Sequence, residues 1–133
     1  MNISKIEGIG PAYAAKLGEQ GIKTTEGLLK AASSRKGRQD LSTQTGLSNH
    51  LILEWVNRAD LMRVKGVGEE YSDLLEAAGV DTVRELANRN PDNLHNALLK
   101  TNAEKHLVRR EPALSEVKSW INQSKRLPAV INY

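Results

Sequence analysis

Lys5-Ile6-Glu7-Gly8-Ile9-Gly10-Pro11-Ala12-Tyr13 returns as Arg63-Val64-Lys65-Gly66-Val67-Gly68-Glu69-Glu70-Tyr71, an ungapped offset of 58 residues. The same offset carries Leu17 to Leu75, Gly21 to Gly79, Thr24 to Thr82 and Leu28 to Leu86. Glycines, one aromatic and the apolar positions recurring together mark an internal duplication, and a duplication constrains the fold before any local signal does. Trp55-Val56-Asn57 is answered by Trp120-Ile121-Asn122 at an offset of 65, so the second copy is seven residues longer than the first. The copies are read as 1–62 and 63–133. Each, at ~60 residues, is marginally stable alone, which predicts that they pack as one unit.

Around the repeated stretch the periodicity is helical. Tyr13, Ala14, Leu17 and Gly21 fall on one helix face, as do Tyr71, Leu74, Leu75 and Ala78. Gly21 and Gly79 stop these helices, and the apolar Ile22 and Val80 follow them. Thr24 starts the next helix in one copy, and Thr82 with Glu85 forms a capping box in the other. Further helices are expected over about 24–32 and 82–89, then 39–45 and 91–100, the last opened by Asn90-Pro91-Asp92. Gly46-Leu47-Ser48 is a capped turn leading into the longest helix, whose buried stripe is Ile52, Trp55, Val56 and Ala59. No breaker separates that helix from Leu61-Met62-Arg63-Val64. The last helix of the first copy is therefore expected to serve as the first helix of the second. Only Leu127–Ile131 reads as extended, and it is expected to lie over the core.

Composition narrows the class. The 133 residues include no cysteine and no phenylalanine, two Trp and three Tyr, so the core is aliphatic and disulfides and thiolate metal sites are excluded. No apolar run reaches the ~18 residues of a membrane helix, and no secretory signal opens the chain. A cytoplasmic protein is expected. His50, His95 and His106 show no ligand spacing, and no Ser-His-acid set or phosphate loop with Gly-Lys-Ser/Thr is present. The expectation is a protein without metal, cofactor or catalytic residues. Lys16 offers an amine for Schiff-base chemistry only if desolvated, which nothing in the sequence indicates.

Two glycines around one apolar residue let the backbone turn sharply while Ile9 or Val67 plugs the turn into the core. Such a turn opens a helix whose first N–H groups lack partners, and the helix dipole there favours an anion. The stretches Ile6–Ala14 and Val64–Gly68 resemble the helix-hairpin-helix motif: an apolar helix, Gly-hydrophobic-Gly, then a helix with small residues in its first turn. Residues 21–29 are similar to the continuation seen in such domains. Gly46-Leu47-Ser48 and the turn around Arg110-Glu111-Pro112 correspond to degenerate second hairpins. The whole chain, with Trp55–Leu61 and the Leu127-Pro128 ending, resembles a family of small bacterial tandem helix-hairpin-helix proteins, domain of unknown function 4332. The resemblance implies an all-α fold: two SAM-domain-like helical bundles fused through a shared helix. It also implies sequence-independent DNA binding through phosphates, because relatives with this motif contact the backbone without reading bases.

On this reading the nucleic-acid-binding residues are Gly8, Ile9 and Gly10 with Lys5, Lys16, Arg35, Lys36 and Arg38, and in the second copy Lys65, Gly66 and Gly68. Charge favours the first turn. Between Val64 and Leu86 six acids face two bases, a net of −4, and Glu69 and Glu70 open the helix after the second turn. Positive charge gathers at Lys30, Arg35, Lys36 and Arg38 and again at Lys100, Lys105, Arg109 and Arg110. The alternative is a protein-interaction module in which the turns are structural corners and the acidic second copy suits a basic partner. The sequence leaves the choice of partner and the oligomeric state open.

Overall fold

A computed structural model describes residues 1–133 as one 3-10 turn, Ile3–Lys5, and eight α-helices. Extended pairing is limited to one antiparallel bridge between Asn2 and Thr24. The helices are α1 Pro11–Glu19, α2 Thr25–Ala32, α3 Arg35–Thr45, α4 Asn49–Leu61, α5 Glu69–Ala77, α6 Val83–Ala87, α7 Pro91–Lys105 and α8 Leu114–Arg126. They form two compact units, Met1–Asp60 with Val130–Tyr133, and Leu61–Ala129. The division falls two residues before the boundary read from the repeat, and the last four residues join the first unit.

In the first unit, α1 is stopped by Gly21 at φ +77°, and the Ile22 N–H closes the end on the Leu17 carbonyl at 3.0 Å. Thr24 caps α2 by accepting from the Gly27 N–H at 2.9 Å, and α2 packs on α3. The third helix begins at Arg35, four residues before its expected start, because Ser34 accepts from the Gly37 N–H at 3.0 Å. Ile6, Leu17, Leu28, Ile52, Trp55 and Val56 are buried; Tyr13, expected on the inner face of α1, is 37% exposed.

In the second unit, α8 packs on α6 and α7, and α7 on α5. The core joins Val67, Leu74, Leu75, Leu86, Leu94, Leu98, Val117 and Trp120. Thr82 caps α6 as the capping box predicts, but the Glu85 carboxylate accepts from the Asp81 N–H at 3.2 Å. α6 ends at Ala87, because the Asn88 and Arg89 N–H groups turn back on Glu85 and Leu86. α7 runs on to Lys105, where His106 ends it in the left-handed conformation at φ 52°.

Two further expectations change. The segment before the first turn is a single 3-10 turn rather than a helix, since only Ile3–Lys5 lie between the Asn2 cap and Ile6. And α4 stops at Leu61, whose side chain enters the second core, while Met62–Gly66 continue as turns.

Candidate functional site

The two Gly-X-Gly turns match in geometry. Gly8 and Gly66 have φ of +93° and +96°, a region that side chains resist. Each also faces an indole: a Cβ would stand 3.4 Å from Trp55 Nε1 at Gly8 and 3.1 Å from Trp120 Nε1 at Gly66. Tyr13 and Tyr71 pack on the same indoles, with ring centroids 5.3 Å and 5.1 Å apart. The tryptophans thus wedge the turns.

The second glycine of each turn is different. Gly10 has φ −83° and Gly68 φ −108°, both ordinary extended backbone, and no atom lies within 4 Å of a Cβ placed on either. Neither conformation nor packing requires glycine there. Each is the N-cap of its helix without a side-chain cap.

Ile9 is corrected as a contact residue. Its side chain is buried, and its N–H donates to the Ile6 carbonyl at 3.1 Å, as Val67 donates to Val64 at 3.0 Å. The N–H groups of Gly10, Ala12 and Tyr13 are among the donors of this turn that have no acceptor in the chain; helical bonding begins with Ala14 donating to Gly10. No acid lies in the first turn of α1. Lys16 is exposed on the helix face of Ala12 and Tyr13, and helical side chains lean toward the N-terminus. Lys5 is exposed in the 3-10 turn, three residues before Gly8.

The helix after the second turn opens on acids instead. Glu69 and Glu70 occupy the first turn of α5. The extra length of the second copy includes the eight-residue loop 106–113, against three residues, 46–48, in the first copy. That loop brings Arg109 against Glu70 at 3.2 Å and Arg110 against Glu116, both guanidinium nitrogens at 2.8 Å. Arg109 pulls the Glu70 carboxyl below its ordinary value, and Arg110 holds Glu116 at about 2. Tyr71 donates to the Arg110 carbonyl at 2.9 Å, and burial raises its phenol. An open pocket of about 590 Å³ remains, lined by Gly66, Gly68–Tyr71 and Val108–Arg110. Lys65 is exposed, and its backbone is clamped by Gln123, which accepts at 2.9 Å and donates at 3.0 Å. The local charge balance read between Val64 and Leu86 therefore omits the cations that the loop supplies.

Of the basic residues assigned to the site, Arg35 and Lys36 are exposed, Lys36 lying 3.9 Å from Asp40. Arg38 is corrected. It is 5% exposed, and donates to the carbonyls of Ala32 at 3.1 Å, Ser33 at 2.9 Å and Asn132 at 2.7 Å. Burial pulls its guanidinium below the ordinary value. It is a structural anchor, closed to a phosphate by the carbonyls it serves. No cluster of three His, Asp or Glu side chains is arranged to hold a metal ion, and no helix is long and apolar enough to cross a membrane.

These features define an all-helical protein of two compact units, each opened by a glycine turn wedged against a tryptophan. The chain belongs to the family described as domain of unknown function DUF4332, which matches residues 7–127. No solved structure matches it.

Proposed function

We propose that this is a non-catalytic, sequence-independent nucleic-acid-binding protein of the cytoplasm. Its glycine turns act as helix-hairpin-helix motifs, and the first one holds a backbone phosphate. The observation that carries this reading is Gly10: a glycine that neither φ nor packing demands, beside three donors with no acceptor in the chain. A missing side chain there leaves the amides of Gly10, Ala12 and Tyr13 open to an oxyanion at a helix N-terminus, where the dipole adds to the attraction. Lys5 and Lys16 supply charge, and Arg35 and Lys36 extend it. The second turn, with Glu69 and Glu70 in the first turn of its helix, is the poorer phosphate site.

The test is a titration of labelled duplex DNA at two salt concentrations with wild type and Gly10→Asp. If about three phosphates are neutralised, affinity falls roughly 40-fold between 50 and 200 mM salt. Asp at an N-cap accepts from the helix amides, so Gly10→Asp keeps or slightly raises stability while placing a carboxylate where the phosphate would sit. Its affinity is expected to drop at least about tenfold, the loss of one or two charge-assisted hydrogen bonds. Salt-independent binding, or a Gly10→Asp variant that binds normally, overturns the reading.

The pocket beside the second turn favours a second reading, a protein-docking module. Against it, exposed large apolar side chains are limited to Met1, Tyr13 and Tyr133, so no apolar patch supports a partner surface.

A further inference from the structure

Between α3 and α4 lies an open pocket of about 350 Å³ that the glycine turn does not use. Arg35, Arg38, Asn49, His50, Leu53 and Tyr133 line it. Arg35 and Arg38 line it and no Asp or Glu side chain does; Arg38 is spent on its three carbonyls, and His50 is held by Glu54 at 3.1 Å. Arg35 makes no ion pair, and it stands exposed as the first residue of α3.

Tyr133 is 60% exposed, more than any other large apolar side chain, yet it is tightly placed. Its hydroxyl donates to Asn57 Oδ1 at 3.1 Å, and the Arg38 guanidinium lies 5.9 Å from its ring centroid. The backbone before it is pinned too: the Asn132 N–H donates to the Ser33 carbonyl at 2.8 Å, and Ile131 is buried. A ring so exposed returns little by burial, while its fixing costs side-chain freedom. A rigid exposed aromatic beside unpaired positive charge is the arrangement that stacks an unpaired base and holds the neighbouring phosphate.

We propose that Tyr133 is a stacking platform for a nucleobase of single-stranded nucleic acid, with Arg35 taking the adjoining phosphate. The proposal rests on the nucleic-acid reading above for its ligand class and adds a strand preference to it. A duplex keeps its bases stacked inside, so only an unpaired strand reaches the ring.

The experiment is anisotropy titration of a labelled oligo-thymidine and a labelled duplex of equal length, using the full chain. Tyr133→Ala is expected to weaken oligo-thymidine binding about tenfold, the usual range for loss of one base–aromatic stack, and to leave the duplex within about twofold. Tyr133→Phe keeps the ring and most of the affinity. Arg35→Gln lowers the single-strand salt slope by about 0.7. In the NMR spectrum of the wild type, Tyr133 ring protons move upfield on addition of oligo-thymidine. Unchanged oligo-thymidine affinity in Tyr133→Ala, with Gly10→Asp still weakened, overturns the platform and leaves the glycine turn standing. Equal losses on both probes in Tyr133→Ala overturn it as well, because the effect is then structural. If wild type binds neither probe, both proposals fall.

Discussion

At the scale of the residue, four glycines that look alike in sequence do two different jobs. Gly8 and Gly66 are conformational necessities, at φ +93° and +96° against tryptophan indoles. Gly10 and Gly68 are not, and their value lies in the space they leave. Gly8→Ala is therefore expected to destabilise the protein by ~1–2 kcal/mol, the cost of a Cβ in the left-handed region. Gly10→Ser, at an ordinary N-cap conformation, is expected to stay within ~0.5 kcal/mol of wild type. Urea denaturation of both variants checks the order, and the reverse order would contradict the division of roles. The Gly-X-Gly pattern was legible in the sequence; which glycine bears the strain was not, because the pattern alone carries neither φ nor the indole that closes on the first glycine.

At the scale of the element, the loop 106–113 is what makes the second copy differ from the first. It ends on Glu116 of α8, which accepts from the Ala113 N–H at 3.0 Å and from both Arg110 nitrogens. The carboxyl is held at about 2, below its ordinary 4.5. The unfolded chain therefore takes up this proton first as pH falls. The stabilisation from Glu116 is complete above about pH 4.5 and drains away as pH drops toward 2. Acid denaturation of Glu116→Gln is expected to lack this component, so its stability gap to wild type narrows across that interval. A gap constant from pH 5 to pH 2 would show that the Arg110 pair contributes nothing in solution. The caps at Thr24, Thr82 and Asn90 were readable, because capping is local chemistry. The start of α3 and the end of α7 were missed, the first through an overlooked serine cap and the second because a left-handed histidine carries no sequence signal.

At the scale of the whole molecule, Arg38 joins residues 94 positions apart through its bond to the Asn132 carbonyl. Its charge rests on three carbonyl oxygens, two at the end of α2 and one near the end of the chain. Arg38→Met strands those acceptors, so a loss of ~1–3 kcal/mol is expected. Hydrogen exchange at the Asn132 amide, which is bonded to Ser33, should accelerate at the same time. Arg38→Lys recovers only part of the loss, since one ammonium does not reproduce the spread of two guanidinium nitrogens. Unchanged exchange at Asn132 in Arg38→Met would show that the tail is held by Ile131 and Tyr133 alone.

The sequence by itself determined the all-helical class, the repeated glycine turn and the family, because periodicity, capping and duplication are written in local spacing. The aliphatic core with two tryptophan anchors, both almost fully buried, followed from the same spacing. Only the tertiary structure decided which charges meet. It buried Arg38, which the sequence offers as a phosphate-binding cation, laid Arg109 on Glu70 and Arg110 on Glu116, and returned Val130–Tyr133 to the first unit. The physical reason is range: helix signals act within a turn or two of the chain, whereas burial and ion pairing depend on segments brought together by folding from tens of residues away.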